Sequence, residues 1–87
     1  MAKRIWVTSD AYDAAIQAVI AARHAQGVSQ RDLAERLGKP RSFVSKLENK
    51  ERRLDMVEFV MLARAMDIPP GELLEKVVLS LPAEPEI

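Results

Sequence analysis

Along the chain, apolar residues recur three and four positions apart and rarely alternate, so the pattern is helical with almost no strand signal. Tyr12, Ala15, Ile16, Val19 and Ile20 make one stripe. They predict a first helix capped by Ser9 or Asp10, running to about Gln26 and stopped by Gly27. Ser29 starts a second helix, with Asp32 at the third helical position, where a carboxylate suits the positive end of the helix dipole. Leu33, Ala34 and Leu37 form its inner face, and Gly38 closes it in the left-handed conformation. Pro40 or Arg41 opens a third helix that reaches about Asn49. Asp55 caps a fourth, whose apolar faces come from Val57, Val60, Met61, Leu62, Ala65 and Met66. Pro69-Pro70-Gly71 breaks the chain, and Pro70 fits the first turn of a fifth helix ending near Leu79. The expected organisation is an all-α domain over residues 9–80, an N-terminal arm over 1–8 and a flexible tail over 81–87.

Eighty-seven residues suit a single domain, and 48% hydrophobic with 30% charged content belongs to a folded soluble protein rather than a disordered one. No apolar run approaches the roughly 20 residues that a membrane span needs. The basic start MAKRIWVTSD has no apolar core behind it, so no secretory signal is expected. The lack of cysteine removes disulfides and thiol chemistry, and a cytoplasmic location is expected. His24 is the one histidine and reads as a helix-end surface residue, so neither a metal nor a cofactor is expected. The serines lack a Gly-x-Ser-x-Gly setting, and Asp10 and Asp13 read as helix N-terminal charges rather than a general acid and base. No catalytic constellation is present in the sequence, and an enzyme is not expected.

Zero net charge argues at first against nucleic acid, whose sequence-independent affinity comes from cations. The distribution reverses that impression. Residues 36–53 hold Arg36, Lys39, Arg41, Lys46, Lys50, Arg52 and Arg53 against Glu48 and Glu51, a balance of +5. Residues 54–87 hold Arg64 and Lys76 against seven acids, a balance of −5. The charge is polarised along the chain.

The third helix sorts its share of these charges. At about 100° per residue, Phe43, Val44 and Leu47 form an apolar stripe, with Ser42, Ser45, Lys46 and Asn49 opposite and Arg41 at the edge of that polar side. Arg and Lys donate to guanine, Asn pairs with adenine and Ser serves either, so the face has the chemistry of a major-groove reader. Lys50, Arg52 and Arg53 follow in a loop, where phosphates are the nearest expected partners. A merely solvated helix face would have the same periodicity, and periodicity alone does not choose between the two.

The segment SQRDLAERLGKPRSFVSKLENKERRLD pairs two helices across a short turn. With Gln30, Leu33, Ala34, Leu37, Gly38, Val44, Leu47, Glu48 and Asn49 at their positions, and LARAMDIPPGELL following, it resembles the helix-turn-helix of the phage-repressor-like (XRE, Cro/C1-type) family over about residues 10–78. The resemblance implies a compact five-helix lambda-repressor-like domain that binds double-stranded DNA as a homodimer and regulates transcription. It matches Gln30 to a phosphate contact that also braces a base-reading side chain. Arg41, Ser42 and Lys46 match base-facing positions, Ser45 lies between them, and Asn49 matches a backbone contact. Pro40 stands where relatives often carry a polar residue and lacks a donor, so its contact would be apolar. Phe43 replaces a frequent Tyr, which weakens the case for a phosphate bond there and favours packing. Matching positions in relatives also imply a partly buried ion pair between Arg23 and Glu48.

A dimeric repressor is the leading expectation. The other is an antitoxin-type interaction protein whose partner is a toxin protein and whose DNA binding is autoregulatory. Ile68, Leu73, Leu74, Val77, Val78 and Leu81 exceed what one small core is expected to absorb, which points to dimerisation through the C-terminal segment. Lys3 and Arg4 precede the first helix as a minor-groove arm would, though disorder is the favoured expectation, and Trp6 suits a flap on the core or a subunit contact.

Overall fold

Five helices occupy residues 10–80 of the computed structural model, which describes residues 9–84: α1 (Asp10–Ala25), α2 (Gln30–Leu37), α3 (Arg41–Glu48), α4 (Met56–Ala65) and α5 (Pro70–Ser80). No strand occurs among the described residues, and the all-α reading holds. Residues 1–8, expected to form an arm and including Lys3, Arg4 and Trp6, and residues 85–87 lie outside the described part.

Local chemistry sets the helix starts. Ser9 caps α1, its hydroxyl accepting from the Tyr12 N–H at 3.1 Å. Reciprocal boxes begin α2 and α4: Ser29 with Asp32, and Asp55 with Glu58. Pro40 and Pro69 precede α3 and α5 without any side-chain cap.

The helix ends share one device. After each of α1 to α4, a residue in left-handed conformation lets two successive N–H groups return to carbonyls of the last turn. The residues are Gly27, Gly38, Lys50 and Asp67, with φ of 68°, 68°, 60° and 59°. Lys50 and Asp67 hold this conformation at a cost of about 1–2 kcal/mol each, which glycine would avoid. The last carbonyls of α4 gain further donors, Arg36 to Ala65 O at 2.8 Å and Gln26 to Met66 O at 2.8 Å.

Helix α2 packs on α3 and α4, while α1 crosses behind to meet α3 and α5. Leu33, Val44, Met66 and Leu73 fill the centre and are fully buried. Ala34 is buried where α2 meets α3, and its small side chain permits the close approach. The core takes up more of the C-terminal segment than its hydrophobicity suggested: Ile68 and Leu73 are interior, and Val77 packs against them half-buried. The apolar surplus on α5 is therefore Leu74, Val78 and Leu79. On α4, Val57 and Met61 face outward rather than into the core.

One polar cluster lies inside. Arg23, at the end of α1, grips the Glu48 carboxylate through Nε at 2.7 Å and Nη2 at 2.9 Å. Its third arm, Nη1, donates to Val28 O at 2.9 Å, and Gln30 Nε2 donates to Glu48 at 2.9 Å. The two charged side chains are only 8% and 10% exposed, so the ion pair expected between α1 and α3 is present and shielded from water. A forked guanidinium–carboxylate contact fixes angle as well as distance.

Removing one partner strands the other charge in a nearly dry site. Arg23→Met is expected to cost about 3–5 kcal/mol of stability, measured by urea unfolding. A loss under about 1 kcal/mol would show the pair to be no stronger than a surface bridge.

Candidate nucleic-acid interface

Gly38, Lys39 and Pro40 turn the chain from α2 into α3, a three-residue connection with the left-handed glycine at its head. Val44 and Leu47 are buried beneath α3, and Phe43 packs half-buried at its flank. The opposite face is thereby presented to solvent. Arg41, Ser42, Lys46 and Asn49 are exposed there, and Ser45 is half-buried with its hydroxyl donating to Ser42 O at 3.2 Å. Among the described residues, neither Arg41 nor Lys46 forms an ion pair. Asn49 Nδ2 reaches Glu51 at 3.4 Å, a long and exposed bond. Pro40 is exposed at the head of α3.

Gln30 opens α2 half-buried beside this face, but the side chain it braces is Glu48 and not a base-facing one. Its role within the fold is to help hold α3 in place.

The loop after α3 is less free than the sequence suggested. Lys50 pairs with Asp13 of α1. Arg52 forks onto Glu58 at 2.9 and 2.7 Å, and its guanidinium lies 4.9 Å from the centre of the Phe43 ring. Lys39 approaches the same ring at 5.5 Å, so Phe43 packs with the core and also carries two cations. Arg53 sits over the Tyr12 ring at 4.4 Å. All three loop cations thus have protein partners already, and any phosphate must share or replace them.

Tyr12, Asp13 and Glu58 are the residues that sequence reasoning missed here. The Asp55-x-x-Glu58 box was visible as a capping signature. The Arg52–Glu58 fork had no periodic signal, because a loop intervenes between the two residues.

Hydrogen bonds from Arg52 hold the Glu58 carboxyl below its ordinary pKa, aided by the Asp55 N–H and opposed by partial burial. Arg52 is raised in turn, chiefly by its bond to Glu58. Asp32 is likewise lowered, by the Ser29 N–H first and the Ser29 hydroxyl second.

The comparisons with known proteins agree with this geometry. The helix-turn-helix family matches residues 19–73, well over half of the chain. An XRE-family-like protein from Pseudomonas syringae pv. tomato is 46% identical, with a TM-score of 0.75 over 83% of this chain and 88% of that one. The restriction-modification controller protein C.AhdI from Aeromonas hydrophila is 36% identical, with a TM-score of 0.63 over 76% of this chain and 98% of that one. The clp gene regulator ClgR from C. glutamicum, 19% identical, matches with a TM-score of 0.75 over 88% of this chain and all of that one, a likeness of fold alone. No curated protein matches the sequence. The chain belongs to the XRE-type helix-turn-helix family of DNA-binding transcription regulators. No helix among the described residues is long and apolar enough to cross a membrane.

The Arg52–Glu58 fork makes a testable contribution to acid stability. Folding depresses the Glu58 pKa, so the ionised carboxylate stabilises the fold above its ordinary value of 4.5 and ceases to as the pH falls through the lower folded value. Glu58→Gln keeps an oxygen for the α4 cap and removes the titration. Its urea midpoint is expected to fall less steeply than the wild type's below pH 4.5. Parallel pH profiles for the two proteins would contradict the assignment.

Proposed function

We propose that the protein is a sequence-specific transcriptional repressor that binds a two-fold operator as a homodimer, with α3 in the major groove. One observation carries the reading: Arg41, Ser42, Lys46 and Asn49 form an exposed face on a helix whose other face is locked into the core. A helix held that firmly presents its donors at fixed positions, as base recognition requires. Arg41 and Lys46 donate to guanine, and Ser42 and Ser45 bond to bases beside them. Pro40 touches a thymine methyl, and Asn49 meets the backbone. Gln30, Lys50, Arg52 and Arg53 serve phosphates on either side. The likeness to a restriction-modification controller protein supports a regulatory role, and a protein that binds the chromosome works in the cytoplasm.

Dimerisation rests on the outer face of α5. Leu74, 53% exposed, lines a groove with Tyr12, Met56, Phe59 and Val77, and Val78, four residues on along α5, is 57% exposed. Isologous pairing of this surface buries it twice, and a two-fold dimer sets recognition helices about 34 Å apart.

A second reading, the antitoxin-type interaction protein, draws on a different surface. Val57 and Met61, 71% and 48% exposed, line a groove of about 180 Å³ with Leu37 and Phe43, and Lys39 and Glu58 stand at the same groove. A toxin-like reading frame beside the gene, with a product that this protein neutralises, decides for that reading.

Lys46→Ala is expected to cost about 1–3 kcal/mol on the operator and little on random DNA, measured by titrating both duplexes. Equal loss on both would make Lys46 a phosphate anchor and reorient α3. Leu74→Glu is expected to turn a dimer into a monomer by light scattering, because each copy would bury an unpaired carboxylate in an apolar seam. An unchanged mass would move the interface elsewhere.

A further inference from the structure

We infer that Tyr12, on the first turn of α1, is a positioning residue that holds Arg53 ready for a backbone phosphate. The inference rests on the DNA-binding reading and adds a residue of α1, outside the helix-turn-helix. Residues 49–55 lie outside any helix, and the loop cations must be placed by something other than their own backbone ladder.

Tyr12 supplies two restraints. Its hydroxyl accepts from the Leu54 N–H at 3.0 Å, which pins the far end of the loop. Its ring lies 4.4 Å beneath the Arg53 guanidinium. The ring is itself well fixed: its backbone N–H bonds to the Ser9 cap, and the side chain is half-buried. Next to it, Asp13 pairs with Lys50 at the near end of the loop, so α1 holds both ends.

The chemistry of the two loop arginines differs. Arg52 spends its edge N–H groups on the Glu58 carboxylate. Arg53 is exposed, lies over a ring and pairs with no carboxylate among the described residues, so its guanidinium N–H donors are not committed to an acid. A phosphate needs those donors and not the face. A stacked arginine also loses less freedom on binding than a mobile one. Of the two, Arg53 is the prepared anchor, and Tyr12 is what prepares it.

The test measures affinity of the whole chain for a random-sequence duplex across about 50–200 mM salt, where each neutralised phosphate contributes about 0.9 to the slope. Arg53→Ala and Tyr12→Leu are each expected to lower affinity by about three- to ten-fold and to flatten the slope by about one phosphate's share. Combined, they should do no more than Arg53→Ala alone, and Tyr12→Phe, which keeps the ring, should restore the slope. A Tyr12→Leu loss with an unchanged slope, or full additivity with Arg53→Ala, overturns the positioning role. An unchanged slope in Arg53→Ala itself removes the loop from the DNA interface, a distinct failure that also ends the inference. Should Tyr12→Leu not fold, the wild-type protein suffices. The ring-current shift of the Arg53 side-chain protons is expected to persist when random duplex is added, and its disappearance means that Arg53 leaves the ring to bind.

Discussion

The contact on which the rest depends is the fork between Arg23 and Glu48. It joins the end of α1 to the end of α3 with two hydrogen bonds, and Arg23 also reaches Val28 in the connection to α2. Gln30 then ties the first turn of α2 to the same carboxylate. Three helices therefore share one polar point. Apolar packing under α3, chiefly Val44 and Leu47, sets how deep the helix sits. A stripe of that kind tolerates rotation and sliding better than a planar fork does, so the fork sets the direction in which α3 points.

From that constraint follows the separation of roles on an eight-residue helix. One side is committed to the core and the fork, and the other keeps two exposed cations and two serines, with Asn49 just past its end. The chain as a whole is neutral, yet its cations gather on α3 and the loop after it. The acids brought near them are not scattered: Asp13 and Glu58 come from α1 and α4 and hold Lys50 and Arg52 in place. Carboxylates beside a DNA-binding surface usually weaken it by repelling phosphates. Here they hold two loop cations in place. Arg41, Lys46 and Arg53 remain free of carboxylates among the described residues.

Much of this was legible in the sequence, and the reasons are local. Caps at Ser9, Ser29 and Asp55 and a left-handed stop at Gly38 act within a few residues, so helix boundaries could be read from them. The apolar stripe of α3 was equally plain, and the family resemblance supplied the Arg23–Glu48 pair, which no spacing in the sequence indicates. What could not be read depends on tertiary approach. Helix α4 is apolar nearly all round, so nothing local says that Leu62 and Ala63 turn inward while Val57 and Met61 turn out. Ile68 and Leu73 looked like surplus because the depth of the core between α4 and α5 was not known. Tyr12 lies 41 positions from Arg53, and only the packing of α1 against the loop reveals the pair.

We propose that α3, fixed by the fork and paired with a second copy across a two-fold axis, reads base sequence. Selection of bound sites from a pool of random duplexes by the intact protein tests it most directly. Enrichment of one inverted repeat whose half-site centres lie one helical turn, roughly 34 Å, apart is expected. Recovery of no shared sequence, or of a single unrepeated half-site, would contradict it.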